Sequence, residues 1–533
     1  MSFAILSMGL LFLASWAAAA GPVVDLGYAQ YQGVVDTDSN ITKFLGMRFA
    51  AAPTGNLRWR MPTAPPNVDG IQRASADPTQ CIQGAIVLTP PNTSPQSEDC
   101  LFLSVYSPDL NPTQLLPTIV WIHGGGYIWG SAFQYNGTDL VVESHREVVV
   151  VVIQWRLGLF GFLAGQQVKD DGVLNAGLRE YYYPKSFPHT VLIYRIVDQE
   201  FALRWVNKNI HKFGGDPDKV SLWGESAGAG SVLQHIIAHN GQTIPQLFRA
   251  AITSSAYLPS QYWYHDSIPQ NLFDNISAQA GCGVLDALDC LRTVDTARLQ
   301  EINQNIISAS LYGTTTFGPV VDGSFITQSP MVALEQRRVN GEILLSATNA
   351  HEGTLFVNQS ADYDVAQYAQ QLFPLFGAKE GKAVAAVYQS FGSSQDQVTA
   401  IMGESRLICP TYLLLNGFEG RAYKGEFAVP PALHGDDLYY YFASFSPGVI
   451  TFNNTAFINA FNGGFLSFAT NLDPNIKLLQ TITPPWSKWA PAAEEMVFNR
   501  TEAGEPWIYE DPTSDALLAR CEFWKSLRNI TAQ

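Results

Sequence analysis

The chain is poor in basic residues, with 31 lysines and arginines against 47 aspartates and glutamates in 533 residues and a formal net charge of −16 at pH 7. Nucleic-acid backbones are bound by clusters of positive charge, and the sequence contains none, so we expect no nucleic-acid partner. It also lacks the H-E-x-x-H pattern of zinc peptidases and any C-x-x-C pair. Without these signatures of metal and redox chemistry, we expect neither a metal nor a cofactor.

Only the N-terminus carries an apolar run that raises the question of a membrane. Residues 1–20 hold an apolar stretch from Phe3 to Trp16, then four alanines before Gly21, but no lysine or arginine. This pattern predicts a cleaved secretory signal. A membrane anchor is disfavoured because the run is short and no stop-transfer sequence follows. We therefore expect a secreted, extracellular protein with no stable membrane anchor.

Two further features are typical of an exported protein. The six cysteines are even in number, which suits a set of disulfides. Glycosylation sequons of the form N-x-[ST] occur at Asn40, Asn92, Asn136, Asn275, Asn358, Asn453, Asn499 and Asn529.

Hydrophobic residues make up 47% of the chain, enough for a large core. Short apolar runs predict buried strands at residues 118–122, 148–155, 220–223, 250–253 and 343–347. Helical patterns between some of them include one that Asp198 can cap and one that begins at Ala227. Strands alternating with helices predict an α/β fold, with a large, mostly parallel sheet covered by helices on both faces. In such sheets the chemistry lies at the carboxyl ends of the strands.

The most informative pattern is G-E-S-A-G at residues 224–228, between a predicted strand and a predicted helix. A strand that turns sharply into a helix presents the residue at the bend, here Ser226, clear of the sheet. Gly224 and Gly228 fit because a Cβ at either position would collide in so tight a turn. The chain holds no second G-x-S-x-G, since residues 403–405 repeat only its first half. We predict that Ser226 is a nucleophile.

A serine nucleophile needs a base, and where the serine stands in a G-x-S-x-G turn between a strand and a helix the chain order is serine, acid, histidine. His434, in a loop after two prolines, fits that order. His265 precedes any plausible acid, and His351 is interpreted as a bystander. We predict that His434 is the base.

The acid should lie between these two residues in the chain. Glu352 follows the predicted strand 343–347, so its carboxylate would stand at the carboxyl end of the sheet. Asp322 is the alternative, but the Asp-Gly pair it forms with Gly323 is interpreted more simply as a turn. We predict that Glu352 orients the histidine.

Attack on a carbonyl also needs N–H donors for the oxygen that becomes negative. Three glycines, at positions 124–126, follow a predicted strand and one histidine. Glycine lets the backbone approach a substrate oxygen closely. We predict an oxyanion hole made by the N–H groups of Gly125, Gly126 and Ala227.

These motifs resemble the type-B carboxylesterases, the family that includes cholinesterases and large fungal lipases. The matching segments span nearly the whole chain after residue 20: F-L-G-M-R-F-A at 44–50, L-R-W-R-M-P at 57–62, S-E-D-C-L-F-L at 97–103, and residues 213–228 around Ser226. The resemblance implies the α/β-hydrolase fold over 21–533 as one catalytic domain. It also implies the triad Ser226, Glu352 and His434 and the oxyanion donors already named.

The resemblance further implies three disulfides, Cys81–Cys100, Cys282–Cys290 and Cys409–Cys521, where the sequence alone leaves 15 pairings open. Only 18 residues separate Cys81 from Cys100, and none of them is Trp, Tyr or Phe. Relatives that accept choline use an aromatic ring in this loop, so we expect weak or no binding of quaternary ammonium. Phe457, Phe461, Phe465 and Phe468 either line an apolar substrate pocket or pack a helix.

One segment departs from the family pattern. Residues 179–197 are inserted where the family continues almost directly from Leu178 to Asp198. Arg179-Glu180-Tyr181 can be encoded by codons that contain GTGAGT, a splice-donor sequence. We hypothesise that the segment is an intron retained in the gene prediction, the alternative being a genuine surface loop.

Together these features predict a secreted serine carboxylesterase that cleaves a small-molecule or lipid ester through an acyl-enzyme. A triacylglycerol lipase of the same family is the nearer alternative, and a non-catalytic adhesion protein on the same fold is the more distant one. The base must be neutral to act, so we expect activity to fall in acid around the ordinary histidine pKa of about 6.5. The sequence leaves the ester, its chain length and the oligomeric state open.

Overall fold

The computed structural model describes residues 21–86, 94–178, 198–445 and 450–533. The predicted signal at 1–20 and the inserted segment 179–197 lie outside the described residues. The described strands are β1 (Val23–Asp25), β2 (Gln30–Gln32), β3 (Val34–Asp36), β4 (Ile41–Arg48), β5 (Ile71–Arg73), β6 (Phe102–Ser107), β7 (Leu116–Ile122), β8 (Val149–Ile153), β9 (Gly215–Glu225), β10 (Ala250–Ser254), β11 (Ile343–Asn349), β12 (Ala422–Phe427), β13 (Glu494–Arg500) and β14 (Pro506–Pro512).

The α-helices are α1 (Thr138–Glu143), α2 (Gly158–Phe162), α3 (Gln166–Asp171), α4 (Asp198–Asn209), α5 (Ala227–Ile237), α6 (Ser267–Gln279), α7 (Ala287–Thr293), α8 (Thr296–Ser308), α9 (Pro330–Glu335), α10 (Val365–Leu372), α11 (Ala378–Tyr388), α12 (Ser394–Gly403), α13 (Cys409–Gly417), α14 (Leu438–Tyr441), α15 (Thr455–Asn471), α16 (Asp515–Ser526) and α17 (Arg528–Thr531). Residues Glu404–Ile408 form one turn of π-helix between α12 and α13. Short 3₁₀ turns occur at Gly55–Leu57, Ala132–Gln134, Ile210–Phe213, Ala238–Gly241 and Thr354–Phe356.

Eleven strands form one sheet in the order β14-β13-β12-β11-β10-β9-β7-β8-β6-β4-β3, and β1, β2 and β5 form a separate small sheet. Neighbouring strands from β8 through β13 run parallel, whereas the pairs at the two edges are antiparallel. The predicted large, mostly parallel sheet is therefore confirmed at its centre, and the antiparallel edges extend it.

The central strands bury both faces, which explains why they are continuous apolar runs in the sequence. In β7, Val120 and Ile122 pack into one core cluster, and Ile119 and Trp121 pack into the other. Helix α5 covers the first face against β7, β9 and β10, and α15 covers the opposite face against β7 and β10. Five predicted strands and two predicted helices coincide with β7 to β11, α4 and α5 within a few residues.

The structure joins Cys81 to Cys100, Cys282 to Cys290 and Cys409 to Cys521, the three pairs that the resemblance implies. Among the described residues, no helix combines the length and the apolarity that crossing a bilayer would require.

The chain on the two sides of the inserted segment is held together by backbone hydrogen bonds. The N–H of Asp198 donates to the carbonyl of Ala176 and that of Gln199 to the carbonyl of Gly177, each at 3.3 Å. The Asp198 carboxylate is buried against Arg156, with 2.8 Å between Oδ2 and Nε. The two ends of the insertion are thus adjacent on the main fold.

Candidate active site

Ser226 lies at the bend between the last residue of β9 and the first residue of α5, at the carboxyl end of the sheet. Its backbone adopts φ 56° and ψ −124°, a region that non-glycine residues rarely occupy. The Ser226 N–H donates to the carbonyl of Ser254 at the end of β10, 2.9 Å away, which holds the bend in place. A strained residue kept by its surroundings at a strand-to-helix turn is typical of an active site.

The glycines on either side of the serine are required by close packing. A Cβ at Gly224 would lie 2.5 Å from the carbonyl carbon of Gly228, across the turn. A Cβ at Gly228 would lie 2.0 Å from the carbonyl oxygen of Ile122, at the end of β7. Both distances are far inside van der Waals contact, so larger residues would displace backbone. The second glycine therefore makes room for the neighbouring strand rather than for its own turn.

The structure brings His434 and Glu352 together. Nδ1 of His434 is 2.6 Å from Oε2 of Glu352, and both side chains are buried. Nε2 of His434 has no hydrogen-bond partner among the described residues. One ring nitrogen is thus held by the carboxylate of Glu352, and the other makes no hydrogen bond although the Glu225 carboxyl lies 3.2 Å from it.

Two other residues hold the second oxygen of Glu352. Oε1 accepts from the Ser255 hydroxyl at 2.6 Å and from the backbone N–H of Asn349 at 2.7 Å. Hydrogen bonds to a carboxylate are short and strong, and two of them on one oxygen leave the group little freedom to rotate. The carboxylate is therefore fixed in orientation before any substrate binds.

Sequence reasoning missed two carboxyl groups that also surround the imidazole. Oε1 of Glu225 lies 3.2 Å from Nε2 of His434, and Oδ1 of Asp437 accepts from the Asn349 side chain at 3.0 Å. Glu225 directly precedes the predicted nucleophile Ser226, and Asp437 lies three residues after the predicted base His434. Their proximity to recognised motifs was the only sequence signal, because their burial depends on segments far away in the chain.

The acidic surroundings change how the site holds protons. Burial raises the pKa of Glu225 to about 8, helped by Asp437 and Glu352 and opposed by His434. Burial alone would lower the pKa of His434, but Glu225 and Glu352 outweigh it and raise that pKa to about 9. Burial likewise raises the pKa of Asp437 to about 6. The expectation of an ordinary histidine pKa is therefore corrected upward, because several carboxyls share one imidazole.

The predicted oxyanion donors lie at the same edge of the sheet. Gly125 and Gly126 have φ of 108° and 61°, and Ala227 is the first residue of α5. None of these three backbone N–H groups has an acceptor among the described residues. A Cβ at Gly125 would lie 2.1 Å from the Trp129 carbonyl oxygen, which explains the glycine there. Free amides beside a helix N-terminus suit a developing negative charge.

Ser226, His434 and the glycines 124–126 line one cavity of about 670 Å³. That volume is in the range of small-molecule sites. The wall also contains aromatic and apolar side chains, among them Trp129, Tyr135, Leu355 and Phe445. No group of three His, Cys, Asp or Glu side chains that could hold a metal ion occurs within the described parts of the chain.

Other residues weighed in the sequence lie elsewhere. Asp322 is buried and accepts the backbone N–H of Ser324 at 2.7 Å, as expected for a turn. His351 is exposed and its Nδ1 lies 2.9 Å from the Pro431 carbonyl oxygen, and His265 is exposed beside Tyr264. Neither histidine lines the cavity.

The four phenylalanines of α15 are packing residues, so the pocket interpretation is wrong. Phe457, Phe461, Phe465 and Phe468 are at most 1% exposed and belong to the core cluster that covers the sheet. Phe465 stacks on Trp223 with ring centroids 5.5 Å apart. Apolar residues at helical spacing fit a pocket wall and a helix interface equally well, so the sequence could not separate the two.

Comparisons with known proteins agree with this arrangement. A sequence profile of the carboxylesterase family matches residues 20–180 and 194–519, with its interruption inside the inserted segment. A secreted lipase of Arthroderma benhamiae is 29% identical over 459 residues, covering 82% of this chain and 84% of the relative. The carboxylesterase patB of Penicillium expansum is 26% identical over 543 residues, covering 89% and 92%. The crystal structure of Aspergillus niger EstA superposes with a TM-score of 0.84 at 29% identity, covering 96% of this chain and 99% of that one.

Proposed function

The chain belongs to the carboxylesterase family and is a carboxylic ester hydrolase, and we propose that it works through an acyl-enzyme on Ser226. His434 takes the proton from the Ser226 hydroxyl as its oxygen attacks the ester carbonyl. Glu352 orients the imidazole and stabilises its cationic form. The N–H groups of Gly125, Gly126 and Ala227 stabilise the oxyanion.

The intermediate then collapses, and the same imidazole gives its proton to the departing alcohol. A water molecule, deprotonated by His434, then attacks the acyl carbonyl, and breaking the bond to Ser226 releases the carboxylic acid. The observation that carries this proposal is the 2.6 Å hydrogen bond between His434 and Glu352 in the wall of the cavity that also contains Ser226. An imidazole held this way on one nitrogen keeps the other directed to a reactant.

Lipase activity is the second candidate, and the Arthroderma benhamiae relative, a secreted lipase, favours it. The two differ in substrate form, a soluble short-chain ester or a triglyceride emulsion. We expect turnover of soluble esters below their solubility limit, with no jump when an emulsion forms, because the loop between Cys81 and Cys100 is too short for a large apolar lid.

The test is a panel of p-nitrophenyl esters and triglyceride emulsions, assayed with the wild type, Ser226→Ala and Ser405→Ala. Ser226→Ala should lose at least about 1,000-fold in kcat on every ester. Ser405 is a buried serine in the half-motif at 403–405 and serves as the matched control, with kcat near the wild-type value. Unchanged hydrolysis by Ser226→Ala would refute the proposal, and a rate jump at emulsion formation would favour the lipase.

We also propose that the enzyme is secreted and glycosylated. Within the described ranges, five sequon asparagines are exposed, Asn40, Asn275, Asn358, Asn453 and Asn529. The three disulfides suit an oxidising compartment. The Arthroderma benhamiae relative, which is named as a secreted lipase, supports the same assignment.

A further inference from the structure

Arg406 is a buried cation that lacks a carboxylate partner among the described residues. It lies in the π-helical turn Glu404–Ile408 and is 6% exposed. Its Nη1 donates to the Ser260 hydroxyl at 3.2 Å and its Nη2 to the Leu372 carbonyl at 2.9 Å. The guanidinium carbon lies 4.4 Å from the centre of the Phe373 ring. These contacts use two of the five guanidinium N–H groups.

The nearest acid along the chain is already engaged. Glu404, two residues earlier, binds Arg520 through two oxygens, with Oε1 2.7 Å from Nη2 and Oε2 2.8 Å from Nε. It also accepts from the Tyr388 hydroxyl at 2.7 Å. The compensating charge that a buried guanidinium ordinarily has is therefore absent from the described chain.

Keeping this arginine buried and charged is energetically unfavourable. Burial lowers the pKa of Arg406, yet arginine stays protonated in proteins even so. A hydrophobic residue of similar size would fill the same space without the desolvation cost. A positive charge that is buried in spite of that cost would be compensated by an anionic ligand bound beside it.

Arg406 lies in the wall of the cavity that an ester substrate would enter. Together with Tyr257 and Thr315 it lines both the cavity that contains Ser226 and a second cavity of about 350 Å³. The described residues that line the second cavity include no other charged side chain. The two hydroxyls at this shared wall, of Tyr257 and Thr315, are 3.5 Å apart.

We propose that Arg406 binds a carboxylate carried by the ester substrate itself, so that the enzyme prefers esters with a free acid group a few bonds from the scissile carbonyl. This inference rests on the proposed function, since it assigns a substrate class to the same site. The planar guanidinium suits a carboxylate, because two of its N–H groups can bind both oxygens. The carboxylate could belong to the acyl part, as in a dicarboxylic hemiester, or to the alcohol part.

The overall negative charge of the chain does not argue against an anionic substrate. Exposed charges are screened beyond about 8 Å at physiological ionic strength. Arg406 would act at contact distance in a site with little water, where the same charge has a far larger effect.

The first test needs no variant. Monoethyl adipate is compared with its primary amide, ethyl adipamate, which has nearly the same shape but no charge, and 4-acetoxybutanoate is compared with 4-acetoxybutanamide. We expect kcat/KM to favour the acid by about 10- to 100-fold in one of the two pairs, the range for a hydrogen bond to a charged group. The pair that shows the preference tells which side of the ester carries the carboxylate.

The second test assigns the preference to this residue. Arg406→Met should remove most of the acid-to-amide ratio, and Arg406→Lys should restore part of it. The matched control is Arg421→Met, because Arg421 also lies over a phenylalanine ring, at 5.5 Å, but lines neither cavity. Its ratio should equal that of the wild type.

The possible outcomes distinguish the role of Arg406 from ester hydrolysis itself. Equal kcat/KM for acid and amide in both pairs would overturn the assignment of Arg406 while leaving ester hydrolysis intact. A wild-type preference that survives in Arg406→Met would overturn it too. Failure of the wild type to hydrolyse any ester would instead refute the proposed function.

Discussion

Glu225 is the residue whose replacement should change the pH dependence most clearly. Its carboxyl lies 3.2 Å from Nε2 of His434 and is one of the groups that raise the histidine pKa. A histidine with a raised pKa stays protonated to higher pH, so the neutral base is lost earlier as the pH falls. The wild type should therefore lose activity in acid at a pH above the ordinary value of about 6.5.

We predict that Glu225→Gln moves the acid limb of the kcat/KM profile to lower pH by about one unit, because one opposite charge is removed from the imidazole. The measurement is a pH profile on a neutral ester. Glu301→Gln is the control, because Glu301 is exposed and pairs with Arg298 away from the cavity. A limb that stays in place, or moves to higher pH, would show that Glu225 does not hold the proton as described.

At the scale of elements, the junction between Leu178 and α4 decides what the inserted segment is. If residues 179–197 are removed and Leu178 is joined to Asp198, the two observed bonds, Asp198 to Ala176 and Gln199 to Gly177, become ordinary contacts between residue i and residue i+3. That is the hydrogen-bonding pattern of a turn or of 3₁₀ helix. The fold can thus close across the deletion without rebuilding α4.

We predict that the variant lacking 179–197 folds and hydrolyses esters at least as well as the full chain. A deletion of the same length shifted by three residues, 176–194, is the control and should fail, because it removes the carbonyl groups that hold Asp198 and Gln199. Sequencing of the transcript gives an independent check. A major message that retains these codons would end the intron hypothesis, and a variant that is unfolded without them would show that the segment is structural.

At the scale of the whole molecule, the exposed sequons and the predicted signal make a joint prediction about export. Expressed in a eukaryotic secretory host, the protein should appear in the medium with Gly21 at its N-terminus, and treatment with an N-glycosidase should lower its mass. Asn275→Gln should remove one glycan, because Asn275 is exposed on α6. Retention of residues 1–20 in the secreted protein, or a mass unchanged by the glycosidase, would contradict this assignment.

The sequence predicted the centre of the fold better than its edges. Strands β7 to β11 are buried on both faces and so appear as apolar runs. By contrast, β13 begins with Glu494 and Glu495, and β14 contains Glu510 and Asp511, so their half-polar composition hides them. The edge strand β14 is only partly buried, and its neighbour β13 carries the buried Glu495 beside Lys424, so an apolar run is no guide to either strand.

The site was predictable where a motif fixes geometry and not where burial depends on distant packing. Ser226, His434 and Glu352 follow from local patterns and chain order. Glu225 and Asp437 are ordinary acids in the sequence, and they become unusual only once α14 and the surrounding loops remove their water. The lack of a carboxylate partner for Arg406 was equally unpredictable, because nothing in the local sequence shows that Glu404 forms its ion pair with Arg520.

The most direct test of the central claim is covalent labelling with a fluorophosphonate, followed by peptide mapping. The reagent reacts with a serine only when a base has activated it. We predict one label per molecule, on the peptide that contains Ser226, with loss of ester hydrolysis in proportion to labelling and no label on Ser226→Ala. A label on a different residue, or full hydrolysis by protein labelled at Ser226, would contradict the mechanism proposed for this enzyme.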